Sequence, residues 1–167
     1  KDLGVYAIAA AANDLAAHGA SVVGVSARIM LTAYAYESRL KAMIAEMEQA
    51  AEEQRFQIAD VKVEICPVIS TTLVSVTAAG LVKEKEMCRI SDPKAGQELV
   101  LTKWIGMEGT LRALEERKEE LEERFVPAFL KQTEFWKKYL FVQKEAEIAR
   151  KYGASAMHTI TEAVSYT

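Results

Sequence analysis

The chain has 167 residues, of which 50% are hydrophobic and 27% are charged, with a formal net charge of −3. This length and composition allow a real hydrophobic core, in one large domain or two small ones. The slightly acidic balance, without a basic stripe interleaved with aromatic residues, excludes nucleic acid as an expected partner. No apolar run approaches the ~20 residues that span a bilayer, and the start lacks a signal-peptide pattern. We therefore expect a cytoplasmic protein with no membrane partner.

The first half of the sequence predicts alternating helices and strands. Alanine-rich residues at the start favour a closely packed helix, and a β-branched run follows after Gly19. An amphipathic helical pattern then precedes two strands, the first of which alternates so that one face is expected to be wet. The predicted order is helix, strand, helix, strand, strand, at residues 3–19, 21–31, 36–54, 56–66 and 72–83.

The second half begins where charge density rises and Pro93 and Gly96 appear, so we place a domain boundary there and predict domains at 1–88 and 89–167. A short strand at residues 99–102, a helix at 107–124 and a closing strand within 154–162 are expected. Helices also restart at Pro127 and over residues 141–152. Together these elements predict an α+β, or mixed α/β, fold.

The two cysteines, Cys66 and Cys88, lie in separate predicted strand regions without a CxxC spacing or neighbouring histidines. Disulfide, zinc and thiol-catalysis roles are weakly supported by this pattern. Cysteine in such positions more often serves as a small buried apolar residue.

A predicted strand at residues 99–102 leads into a loop with Gly106 and Gly109 and then into a charged helix. Such a bend leaves unpaired backbone N–H groups at the positive end of the helix dipole, where an anion can sit. Two glycines alone leave an ordinary strand-to-helix connection equally open.

Three segments, in order along the chain, resemble motifs of the aminoimidazole ribonucleotide synthetase (PurM-like) superfamily. They are an Asn-Asp-Leu…Gly-Ala helix end, a domain-crossing segment and an Ala-Met-His…Thr-Glu element, at residues 12–20, 93–110 and 149–162. The sequence looks closest to the synthase-related and hydrogenase-maturation-like branch. The resemblance implies an N-terminal α/β domain that forms a homodimer through its sheet, and the start of a C-terminal α+β domain. It also implies binding of ATP and Mg²⁺ between the two domains, for an ATP-dependent reaction that is unassigned.

The resemblance also implies roles for individual residues. Asp14 and Glu64 would be metal ligands, His158 and Glu162 catalytic residues, and the nucleotide would contact Asn13, Asp14, Lys103, Gly106, Gly109 and Thr110. Simpler interpretations stand beside these. Asp14 can be a helix-end carboxylate without a ligand, Lys103 a solvated strand end, and His158 a hydrogen-bonded structural residue.

The sequence departs from the superfamily motifs at several ligand positions. Residues 60–64 keep only the glutamate of a Gly-Gly-His-Thr-Glu loop, Thr159 stands where an aspartate is usual, and Ala163-Val164 replace two glycines. The alternative function is therefore a degenerate, non-catalytic binding or dimerisation module of the same fold. The missing initial methionine and the stop after a predicted strand are consistent with truncation, disorder or further sequence outside the part given.

A third hypothesis lies outside the superfamily. A helical scaffold protein could use an aromatic stripe as a docking surface, formed by Phe129, Phe135, Trp136 and Tyr139. Such stripes are more often core than interface.

Overall fold

The computed structural model describes residues 2–160. In that range the α-helices and β-strands are α1 Leu3–Ala17, β1 Ser21–Leu31, α2 Glu37–Gln54, β2 Gln57–Ile65, β3 Leu73–Leu81, α3 Met107–Glu116, α4 Lys118–Arg124, α5 Pro127–Glu134 and α6 Gln143–Lys151. Short 3₁₀ turns lie at Glu84–Glu86 and Phe135–Tyr139. The predicted α+β class is confirmed, and each predicted element of the first half agrees with an observed one to within two residues.

The sheet has the strand order β2-β1-β3, with β1 in the centre. β1 runs parallel to β2, and Ile29 is in register with Val63; it runs antiparallel to β3, where Ile29 faces Val74. Parallel neighbours need a crossover connection, which α2 supplies. The pairing of β1 with β2 shifts by one residue between Val25 and Ser26.

The core lies on one face of this sheet. Alternate residues of β1 are buried there beneath α1 and α2, namely Val25, Ala27, Ile29 and Leu31. The opposite face carries no helix from the described part of the chain, and on it Val23 and Leu81 are 54% and 74% exposed. On β2 the predicted wet face is present, with Asp60, Lys62 and Glu64 exposed, but Val63 and Ile65 on the core side of that strand are also 40% and 70% exposed.

The small residues of α1 permit a close approach to α2, as the sequence predicts. A Cβ atom at Gly4 would lie 2.6 Å from Met47 Sδ and 2.8 Å from Met43 Cγ. Contacts this short are not tolerated by a larger residue. Gly4 is therefore a point of close approach between the two helices.

Three predictions for the second half were wrong. Residues 99–102 form no strand, and Leu99 is fully exposed, because no other strand of residues 2–160 lies beside this segment to pair with it. Residues 154–160 likewise contain no strand. The predicted helix at 107–124 is interrupted at Arg117, since residues 115–120 are all charged and offer no apolar side chain for packing.

The buried cluster under the sheet also includes residues from the second half, among them Met107, Leu111 and Phe141. The domain boundary near residue 88 stays a prediction. Each helix within residues 2–160 is too short or too polar to cross a lipid bilayer.

Candidate functional site

Asn13 lies near the end of α1 and uses its side-chain amide to hold the turn before α6. Its Nδ2 donates to the carbonyl oxygen of Leu140 at 2.8 Å, and its Oδ1 accepts from the backbone N–H of Val142 at 2.9 Å. Both ends of the amide are therefore occupied by backbone groups in this conformation.

Asp14, the next residue, is exposed and faces a different segment. Its Oδ1 accepts a hydrogen bond from the hydroxyl of Thr159 at 2.7 Å. Thr159 is the residue that stands in place of a superfamily aspartate, so the departure seen in the sequence falls directly beside the predicted metal ligand. A hydroxyl donor here pairs with the carboxylate, whereas a second carboxylate would repel it.

Lys103 points inward rather than into solvent. Its backbone is left-handed, with φ +61°, and its side chain is only 14% exposed. The ammonium donates to the carbonyl oxygens of Tyr139 at 2.9 Å and Phe141 at 2.6 Å, and lies 3.0 Å from Glu145 Oε1. A lysine has three N–H donors, and three partners take them here. The predicted phosphate role of Lys103 would therefore require this arrangement to change.

The predicted glycine bend is only partly a loop. Gly106 has φ +73° and directly precedes α3, whereas Gly109 lies inside the first turns of that helix. The hydroxyl of Thr110 donates to the carbonyl oxygen of Gly106 at 2.9 Å, which is a bond within the helix start. Apart from the adjacent residues and the backbone of the helix itself, no atom of residues 2–160 lies within 4 Å of a Cβ built at either glycine, so the space beside them is open.

A groove of about 460 Å³ runs beside Gly109 between α3 and α4. Its three arginines each lie within 4.0 Å of a glutamate on the same helical stretch, in the pairs Arg112–Glu116, Arg117–Glu120 and Arg124–Glu120. Paired in this way, they leave the groove without a strong positive field for an anion.

Glu64 lies far from Asp14 within one chain. Glu64 is in register with Met30 near the end of β1 and is 3.3 Å from Arg28, whereas Leu15 lies against Gly80, which pairs with Val22 near the start of β1. Eight residues of strand, at about 3.3 Å each, separate these two positions along β1 by roughly 26 Å. The two carboxylates cannot hold the same ion in one protomer.

Of the two predicted catalytic residues, His158 is exposed beside Thr159, and Glu162 lies outside the described residues. Residues 2–160 contain no group of three or more histidine, cysteine, aspartate or glutamate side chains that could hold a metal ion. In this conformation residues 2–160 therefore do not form a cage for Mg²⁺ by themselves.

A buried polar cluster at the start of α1 was not predicted. Asp2 is buried and pairs with Lys137, whose ammonium also lies 3.2 Å from Glu115. Nearby, burial raises the pKa of Tyr6, and the negative charges of Glu115 and Glu108 raise it further. These residues belong to no sequence motif, so the cluster could not be predicted from the sequence.

The aromatic stripe of the scaffold hypothesis is not buried as a unit. Trp136 stacks on Trp104 with ring centroids 5.1 Å apart, while Phe129 and Phe135 are about half exposed. A docking role for these rings stays a prediction.

The two cysteines are free, and Cys88 is buried as expected, whereas Cys66 is partly exposed.

Comparisons with known proteins bear on the fold. Residues 1–82 match the family "AIR synthase related protein, N-terminal domain". Hydrogenase maturation protein HypE in complex with ATP is 20% identical, with a TM-score of 0.53, over 56% of this chain and 28% of that one. Thiamine monophosphate kinase from Aquifex aeolicus is 12% identical, with a TM-score of 0.72, over 90% of this chain and 48% of that one. The same kinase complexed with AMPPCP and TMP gives 14% identity and a TM-score of 0.71, over 90% and 46%.

The fold is thus that of PurM-like proteins. Over residues 1–82 the chain is similar to AIR synthase related proteins, which confirms the resemblance predicted from the motif in that part of the sequence. It spans less than half the length of these solved structures. Among curated proteins, none matches the sequence.

Proposed function

We propose that this chain is a homodimerisation module of the superfamily fold, which associates through its three-stranded sheet. The observation that carries the proposal is the open face of that sheet. Apolar side chains on it, Val23, Leu73 and Leu81, are between 44% and 74% exposed. Small residues such as Ser75 and Thr77 lie between them on the same side of β3. Exposed apolar surface of this kind is typical of an interaction site.

The outer edge of β3 supports the same proposal. Within residues 2–160 this nine-residue strand is paired on one side only, and it contains neither a charged residue nor a proline. Natural proteins usually protect an open edge with charges, prolines or a covering segment. An unprotected edge can pair with its own copy about a two-fold axis, which is the commonest symmetry of soluble oligomers.

The test is the oligomeric state of Leu81→Lys. This substitution puts a charge on the open face at a side chain that is already 74% exposed in the single chain, so it should spare the fold. We expect sedimentation equilibrium to give a dimer for the wild type and a monomer for the variant. Leu99→Lys, at a fully exposed leucine outside the sheet, is the matched control and should remain dimeric. A wild type that is monomeric at every concentration contradicts the proposal.

A second candidate function is binding of Mg²⁺-ATP at Asp14. It is supported by the match of residues 1–82 to the AIR synthase related family and by solved structures of similar fold that hold ATP or AMPPCP. Mg²⁺ is often bound by one or two carboxylates together with nucleotide phosphates and water, so an exposed Asp14 is a compatible donor when the ion arrives with ATP. In this proposal Asn13, Lys103, Gly106, Gly109 and Thr110 would contact the nucleotide. His158 and Glu162 would be the catalytic residues, with the ion neutralising phosphate charge.

Isothermal titration with Mg²⁺-ATP tests this second candidate. We expect heat from the wild type and none from Asp14→Asn, while Asp60→Asn, which removes an exposed carboxylate on β2, should bind like the wild type. Absence of heat from a folded wild type at millimolar nucleotide would contradict nucleotide binding and leave dimerisation unaffected.

A further inference from the structure

Both tryptophans of the chain lie in one stacked pair, beside residues proposed to contact the nucleotide. The rings of Trp104 and Trp136 have centroids 5.1 Å apart and planes only 7° from parallel, and Tyr139 meets Trp104 edge-on at 5.9 Å. We infer that Trp104 is a stacking platform for the adenine base of a nucleotide. The inference rests on the second candidate function, because it adds a base contact to the phosphate contacts of that same site.

The inner ring of the pair is anchored to the fold. Trp136 is partly buried and packs against the hydrophobic core. The backbone beside Trp104 is fixed as well, because the preceding residue is Lys103. The ammonium of Lys103 donates to the carbonyl oxygens of Tyr139 and Phe141. A ring held in place in this way loses little conformational freedom when a ligand stacks on it.

The outer ring of the pair is open to solvent. Trp104 is 52% exposed although Trp136 covers part of it, and the next residue, Ile105, is 58% exposed. The indole ring offers a large flat apolar surface, and such rings prefer offset stacking with other planar rings. Nucleobases stack on exposed aromatic side chains because every base has a flat π-face. The exposed part of Trp104 is therefore suited to a base.

The position of Trp104 in the chain connects it with the nucleotide. Lys103 precedes it, and Gly106 and Gly109 follow it, and all three are proposed nucleotide contacts. Two residues of chain separate Trp104 from Gly106 by at most about 7 Å. The space beside both glycines is open. A nucleotide whose phosphates lie beside these glycines has its base, one ribose away, within reach of the indole.

The test is calorimetric titration of the wild type and Trp104→Ala with Mg²⁺-ATP and with Mg²⁺ and inorganic triphosphate, which has no base. We expect Trp104→Ala to weaken ATP binding about tenfold, the effect of losing one base stack. Triphosphate should bind equally to the two proteins. Tyr34→Ala removes a 91% exposed aromatic ring from the loop after β1 and should bind ATP like the wild type.

Tryptophan fluorescence gives a second readout, because the stacked pair contains both tryptophans of the chain. ATP should quench the emission of the wild type, and triphosphate should leave it unchanged. Trp104→Phe keeps a smaller aromatic face and should bind ATP with an affinity between those of the wild type and Trp104→Ala.

The outcomes separate the stacking role from nucleotide binding itself. Equal ATP affinity of Trp104→Ala and the wild type overturns the platform and leaves nucleotide binding intact. An equal loss of ATP and triphosphate binding in Trp104→Ala also overturns it, because Trp104 would then act through the fold. If the wild type binds neither ligand, the second candidate function fails, and the stacking role fails with it.

Discussion

The side-chain oxygen of Asn13 accepts a hydrogen bond from the backbone N–H of Val142, 129 residues further along the chain, at 2.9 Å. The nitrogen of the same amide donates to the carbonyl oxygen of Leu140. One side chain of α1 therefore holds the turn that leads into α6. Lys103 binds the carbonyl oxygens of Tyr139 and Phe141 in the same turn.

Asn13→Ala should lower the free energy of unfolding by about 1–3 kcal/mol, because it leaves a partly buried N–H and a carbonyl oxygen without partners. Asn13→Asp keeps the acceptor for Val142 and should have an intermediate effect. Urea denaturation measures both. Gln132→Ala removes an exposed amide and should change stability by less than about 0.5 kcal/mol. Equal stability of Asn13→Ala and the control would contradict the structural role of Asn13.

Lys103→Met should destabilise the chain by about 2 kcal/mol, since two carbonyl oxygens and Glu145 lose the cation they share. Thermal unfolding measures the effect. Lys94→Met, at an exposed lysine, is the matched control and should have little effect. If Lys103 only bound a phosphate and did not stabilise the fold, the Lys103→Met variant would be as stable as the wild type. That outcome would favour the phosphate role.

Tyr6→Phe should leave stability unchanged or raise it by up to about 1 kcal/mol. The hydroxyl of Tyr6 is buried, and no group of residues 2–160 makes a hydrogen bond with it. Removing a buried polar group that lacks a partner removes a desolvation penalty. Tyr36→Phe, at an exposed tyrosine, should be neutral. A loss of more than about 1 kcal/mol in Tyr6→Phe would mean that the hydroxyl has a partner after all.

Tyr6 should also make the free energy of unfolding decrease at alkaline pH. Burial, with the charges of Glu115 and Glu108, holds the pKa of Tyr6 above its ordinary value. The unfolded chain therefore loses this proton first, at about pH 10. The contribution of Tyr6 is fully present below that pH and is lost as the pH rises above it. Thermal unfolding between about pH 9 and pH 11 should show a steeper decline for the wild type than for Tyr6→Phe. Parallel curves would contradict the prediction.

Gly19→Ala should destabilise the chain by about 2 kcal/mol. Gly19 has φ +81°, and a Cβ there would lie 2.6 Å from the carbonyl oxygen of Glu86. Gly109→Ala is an informative contrast, because Gly109 is helical with open space around it. It should stabilise α3 by about 0.5–1 kcal/mol. Chemical denaturation of the two variants should therefore give shifts of opposite sign, and shifts of the same sign would contradict this description of the two sites.

The first half of the fold could be predicted from sequence because its signals are local. The alternation of β2 and the helical spacing of Leu40, Met43 and Met47 fix the element type within a few residues. Residues 99–102 carry the same β-compatible signal but form no strand, since strand formation depends on a neighbour that periodicity cannot reveal.

The site was harder to predict, because its geometry depends on contacts between distant residues. Motif resemblance singled out Asp14 and noted the change at Thr159, but only the fold brings their oxygens within 2.7 Å. The inward direction of Lys103 follows from a left-handed backbone that its residue type does not favour. No pattern in the sequence pointed to Glu145, the carboxylate that pairs with Lys103.

The absence of charge along β3 has a consequence for solution behaviour. From Ile65 to Val82 the sequence contains no ionisable side chain apart from Cys66. A strand that pairs with this edge would do so through peptide groups and apolar contacts, so added salt would not screen the attraction. By contrast, added salt would screen the ion pairs of the helical region from α3 to α5 and weaken them. Varying the ionic strength would therefore distinguish association through the β3 edge from contacts that depend on ion pairs.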